Sequence, residues 1–154
     1  LKFSNYKNKT TIFGSTKLKK QFKFKYKNIP LTKFRILSSS KKYVNEFIKL
    51  EKINHANLIE IHNRPNYLKD LINNLFNRSY VIYFHNDPLT MKGSKTISDR
   101  KYLLKNCFRI IFNSNWSKKR FLEGMENKFI NSEKLMVIYQ SAHQPKVNIK
   151  KKKI

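Results

Sequence analysis

"LIEIHNRPNYLKDLINNLFNRSYVIYFHNDP", Leu58 to Pro88, reads as strand, helix, strand. "NLIEIH" (Asn57 to His62) is a short apolar run of strand length. After Pro65, the residues Leu68, Leu71, Ile72, Leu75 and Phe76 recur at i, i+3, i+4, i+7 and i+8, which predicts an amphipathic helix with proline in its first turn. "YVIYFH" (Tyr80 to His85) is apolar at consecutive positions, as a central parallel strand is. Both apolar runs end alike, in His-Asn, one charged residue and Pro: His62-Asn63-Arg64-Pro65 and His85-Asn86-Asp87-Pro88.

The pattern extends in both directions. Upstream, "KTTIFGS" (Lys9 to Ser15) predicts a β-branched strand, and "QFKFKYK" (Gln21 to Lys27) alternates aromatic with lysine as a half-exposed strand does. "SSSKKYVNEFIKLEKI" (Ser38 to Ile53) predicts a serine-capped helix. Downstream, "SDRKYLLKNC" predicts a helix capped by Ser98 with Asp99 in its first turn. "FRIIFNS" (Phe108 to Ser114) predicts a strand. A helix follows from about Ser114, with Phe121, Leu122 and Met125 on one face, and "KLMVIY" (Lys134 to Tyr139) is the last strand. Strands alternating with helices imply βαβ units, hence an α/β fold with a Rossmann-like, mostly parallel sheet, right-handed crossovers and helices on both faces. Residues 1–143 form this domain, and the basic run in 144–154 reads as a linker.

In such sheets ligands bind outside the carboxyl ends of the strands. Three polar clusters fall there: His62-Asn63-Arg64, His85-Asn86-Asp87 and Asn113-Ser114-Asn115-Trp116. Imidazoles, amides, a guanidinium and helix N-termini suit a polyhydroxylated, phosphate-bearing ligand. They suit a metal poorly, since there is no His-x-x-x-His pair and no second acidic residue beside the histidines. Ser114 lacks the Gly-x-Ser-x-Gly setting of a hydrolase nucleophile, and three glycines supply no phosphate-binding loop. Trp116 offers a ring for sugar stacking, although packing at the start of a helix is the commoner use. His55 and His143 read as ordinary surface histidines.

The formal net charge is +25, from 34 Lys+Arg against 9 Asp+Glu. It points to an anionic partner, or to a genome rich in A and T, which inflates Lys, Asn and Ile together. A basic nucleic-acid-binding module is the alternative reading, with "FKFKYK" to stack bases, but no compact recognition motif accompanies it. The same charge suits an acidic membrane surface. The single cysteine, Cys107, excludes an intrachain disulfide and fits a reducing compartment. No apolar run nears the roughly 20 residues that span a bilayer. The absence of an initiator Met suggests that the chain starts inside a longer protein.

"LIEIHNRPNYL", "VIYFHNDPLTMKGSKT", "RIIFNSNWSKKRF" and "KLMVIYQSA", in this order, resemble the N-terminal half of family-four glycosyltransferases of the GT-B type. The similarity is to those that build bacterial cell-surface polysaccharide and lipopolysaccharide. It runs from about Ile12 to the end and is strongest from Ile59 to Ser141. The resemblance implies a retaining transfer of a sugar from a nucleotide-sugar to a glycan or lipid-linked acceptor, with no metal and no cofactor beyond the nucleotide-sugar substrate. It implies that His85 is catalytic, and that His62, Asn63, Arg64, Asn86, Asp87 and Ser114 line the substrate cleft. Asn115 replaces the family's acidic residue. The family's first strand with its Gly-rich loop is missing, as is the C-terminal donor domain. The implied object is therefore the acceptor-side half, inactive alone, cytoplasmic or peripheral on the inner face of the cytoplasmic membrane.

Overall fold

The computed structural model describes residues 9–16, 25–30 and 38–140. It is an α/β protein with parallel sheets flanked by helices. β1 (Thr11–Gly14) and β2 (Lys25–Asn28) form a two-stranded parallel sheet. Phe13 of β1 meets Phe47 edge-on, with ring centroids 4.9 Å apart, which ties this small sheet to α1 (Ser39–Asn54). Gln21 to Phe24, the first part of the alternating aromatic-lysine stretch, and the basic tail 144–154 lie outside the described residues.

The main sheet has four parallel strands in consecutive order: β3 (Leu58–His62), β4 (Ser79–Phe84), β5 (Arg109–Phe112) and β6 (Leu135–Val137). α2 (Leu68–Asn74), α3 (Ile97–Asn106) and α4 (Asn115–Leu122) make the crossovers. When right-handed crossovers always step in the same direction, their helices fall on the same face. The core agrees. Ile59, Ile61, Tyr80, Ile82, Phe84, Ile110 and Phe112 alternate along the strands and bury against Val44 and Ile48 of α1, Leu68 and Leu71 of α2, Leu103 of α3 and Phe121 of α4. Of the two helical layers expected from the sequence, the described residues supply one. The opposite face carries Leu58, Glu60, His62, Val81, Tyr83, Arg109, Ile111 and Met136.

Two local expectations change. The cap of α3 is Thr96, not Ser98: its Oγ1 accepts from Asp99 N at 3.0 Å while Asp99 Oδ2 accepts from Thr96 N at 3.2 Å. The reciprocal pair satisfies two amides, where a serine already inside the helix satisfies none. Pro65–Tyr67 form a 3₁₀ turn, and α2 proper stops at Asn74. Leu75 leaves helical geometry at φ −136°, so Phe76 departs from the apolar stripe and is 77% exposed.

Candidate functional site

Register brings the two histidines together. His62, the last residue of β3, pairs with Tyr83 of β4, and His85 stands two residues further along on the same face. Their rings stack as a ladder on the face opposite the helices: Tyr83 to His85 at 4.3 Å between centroids, His62 to His85 at 5.0 Å, His62 to Tyr83 at 5.6 Å.

A line of polar contacts runs through the pair. Gln140 Nε2 lies 2.6 Å from His85 Nδ1, His85 Nε2 lies 2.7 Å from His62 Nδ1, and His62 Nε2 lies 3.4 Å from Glu60 Oε1. Each step has a donor when both rings carry their proton on Nε2. The amide of Gln140 donates to His85, His85 donates to His62, and His62 donates to the carboxylate. Burial holds the pKa of His85 below its usual value, and the neighbouring His62 lowers it further; Glu60 acts in the opposite sense. Beneath the rings, the Tyr83 hydroxyl donates to Ile138 O at 2.9 Å, and burial raises its pKa.

The turns holding the rings differ despite their shared letters. Asn63 adopts the left-handed region at φ 52°, its amide donates to Tyr83 O at 3.0 Å, and its Oδ1 accepts from His85 N at 2.7 Å. That side chain clamps one histidine turn to the other. Asn86 is exposed, and among the described residues only its backbone carbonyl is engaged, accepting from Ser117 Oγ at 3.4 Å. Asp87 Oδ1 accepts from Leu89 N at 3.0 Å, and Oδ2 pairs with Arg120 at 3.2 Å. This bond to Asp87 is the chief reason the Arg120 guanidinium pKa is raised. Asp87 is thus occupied as a turn former and ion-pair partner. Arg64 is exposed, with Nη1 donating to Asn63 O at 2.9 Å.

The third cluster joins the same rim through its asparagine. Asn113 Nδ2 donates to His85 O at 2.6 Å, and Ser114 Oγ approaches Asn113 Oδ1 at 3.3 Å. Ser114 Oγ also accepts from Ser117 N at 3.2 Å, the N-cap bond of α4, so its role here is structural. Trp116 does not pack at the helix start: it is 58% exposed and lines a shallow groove with Lys119, Arg120, Leu122, Glu123 and Ile130.

Glu60, Tyr83 and Gln140 were not singled out from the sequence as site residues. Glu60 and Tyr83 were accessible, because each lies two residues before a histidine in a strand and so shares its face. Gln140 carried no such signal, since only the fold brings the segment after β6 to the turn that follows β4. Among the described residues no group of three or more His, Cys, Asp or Glu side chains could hold a metal ion. No helix among them is long and apolar enough to cross a membrane.

Fold and site together define a parallel-sheet α/β protein with a stacked histidine pair at its carboxyl rim. No protein-family model, no curated protein and no solved structure gives a significant match to the chain.

Proposed function

We propose that this chain is the acceptor-side half of a retaining glycosyltransferase that moves a sugar from a nucleotide-sugar to a glycan or lipid-linked acceptor. The observation that carries the reading is the His62–His85 contact at the carboxyl rim, with ring nitrogens 2.7 Å apart and three turns converging on it. A neutral imidazole held on one side by a second histidine is rigid and uncharged. It orients sugar hydroxyls without competing for the leaving diphosphate's countercharge. A hydroxyl donating to His85 Nδ1 would take the place of the Gln140 amide. As the glycosidic bond loosens, the imidazole and the rim dipoles stabilise the developing charge, an effect of preorganised polar groups. The donor-binding half, on this reading, supplies the groups that grip the nucleotide. The setting is then cytoplasmic, with the basic surface resting against an acidic membrane where a lipid-linked acceptor waits.

The test uses the chain joined to its donor-binding half. His85→Ala should lower sugar transfer by about two to three orders of magnitude while leaving the far-ultraviolet circular dichroism unchanged. Normal turnover removes His85 from the reaction centre, and an unsubstituted protein that transfers no sugar overturns the proposal.

A further inference from the structure

Beside the histidine pair lies a cleft of about 380 Å³ lined by Ser40, Asn63, Arg64, Asn66, Thr90, Met91 and Lys92. Three separate parts of the chain build it: the start of α1, the turn after β3, and the loop after β4. That loop is fixed by its own bonds. Asp87 caps it at Leu89 N, Thr90 Oγ1 donates to Asp87 O at 2.8 Å, and the buried Ser94 Oγ donates to Pro88 O at 2.5 Å. Gly93 takes φ +91° against the chain at Asn66, where a Cβ would stand 2.6 Å from Asn66 N. Glycine therefore lets the loop close directly onto the Pro65–Asn66 turn, and Lys92 and Thr90 are held against the cleft by that closure.

The lining has a consistent chemistry. It contains two cations, Arg64 and Lys92, and no carboxylate. The nearest acid along the loop, Asp87, is committed to Leu89 N and Arg120. Arg64 uses Nη1 on Asn63 O, and its Nε and Nη2 make no other hydrogen bond among the described residues; Lys92 and the Ser40 hydroxyl make none there. Unspent donors with two positive charges and no competing carboxylate match a tetrahedral dianion, whose oxygens each take several charge-assisted bonds.

We propose that this cleft binds a phosphate group, and that the sugar acceptor therefore carries a phosphate. The second part rests on the sugar-transfer reading; the first does not. Asn63 connects the two sites, lining the cleft while its Oδ1 holds the His85 amide, so a phosphate seated here delivers the rest of its carrier towards the histidines.

The experiment follows amide resonances of the chain during titration with inorganic phosphate, with a hexose 1-phosphate, and with phosphatidylcholine vesicles containing a minority of phosphatidic acid. Saturable shifts at Ser40, Asn66 and Thr90 are expected. Arg64→Gln with Lys92→Gln should weaken phosphate binding by about tenfold or more. The control pair Lys105→Gln with Lys69→Gln removes the same charge from exposed sites on α3 and α2 and should leave binding nearly unchanged. Tighter binding of the hexose phosphate supports a soluble acceptor; tighter binding to the acidic vesicles supports a lipid-borne one. Absent saturation, or equal losses in both pairs of variants, overturns the cleft. If phosphate binding depends on Arg64 and Lys92 while the unsubstituted chain, joined to its donor-binding half, transfers no sugar, the sugar-transfer reading falls and the cleft stands.

Discussion

Replacing Asn63 tests how the rim is held together. The residue does two things at once: it occupies the left-handed region at φ 52°, and its Oδ1 accepts from the His85 amide at 2.7 Å. Asn63→Ala loses the acceptor, worth about 1 kcal/mol for a hydrogen bond of this kind. It also forces a β-carbon without a polar tip into a conformation that costs about 1 kcal/mol more. The sum is a loss of about 2 kcal/mol, or a melting temperature lower by roughly 4–8 °C for a chain of this size. Asn63→Gly loses the same acceptor but fits the backbone, so it should cost about 1 kcal/mol. Asn63→Asp keeps an acceptor on a residue that tolerates the left-handed region, so its cost should be near zero. Urea unfolding followed by circular dichroism, with the slope of each transition compared, measures all three. The expected order of stability is Asp above Gly above Ala. An alanine variant as stable as the glycine variant refutes the strained backbone. An aspartate variant as weak as alanine refutes the clamp on His85.

Two further predictions concern the sheet and the histidines. Ile110 is fully buried among the helices while Ile111, on the opposite face, is half-buried, so Ile110→Val should cost ~1 kcal/mol and Ile111→Val clearly less; equal losses in urea unfolding contradict a core confined to one face. Since the folded-state pKa of His85 lies below its ordinary 6.5, the unfolded chain takes up that proton first as pH falls. The contribution is therefore complete above about pH 6.5 and is lost as pH drops through the folded value. His85→Phe should flatten the fall in stability between pH 7 and pH 5, and an unchanged slope contradicts a depressed imidazole.

The alternation of strands and helices was legible because each element carries its own period: consecutive apolar residues in β4, and the i, i+3, i+4 stripe of α2. The meeting of His62 with His85 was legible at the level of the rim, since both end parallel strands. What each neighbour does there was not. Asn63 and Asn86 occupy the same place in the same four-letter motif, yet one clamps the other turn and the other faces solvent. The difference lies in register. Asn63 follows a strand that ends opposite Tyr83, so its side chain reaches the backbone just beyond, at His85. Ser114 was readable as a rim residue, but its hydroxyl is taken by the first turn of α4, as a serine before a helix usually is. The cap at Thr96 was missed because a helix start offers several candidates, and only the reciprocal bond with Asp99 decides among them.

The parity of the strands explains why two histidines at matching strand ends form a pair at all. Side chains alternate faces along a strand, so a shift of one residue sends a ring to the opposite side of the sheet. His85 one position earlier would stand where Phe84 stands, buried among Phe112 and Phe121. In its actual place it shares a face with His62, Tyr83 and Glu60, away from the helical core. Polar side chains on that face are held by one another rather than by core packing: Glu60 at one end, Gln140 at the other, two imidazoles between. A line with a donor and an acceptor at every step accommodates a newcomer only by releasing one of its ends. Both ends are exposed, Gln140 beyond β6 and Glu60 within β3, and His62 is more exposed than the half-buried His85. Opening His85 Nδ1 requires displacing Gln140, and opening His62 Nε2 requires displacing Glu60, so the two ends are the two places where the line can admit a new partner.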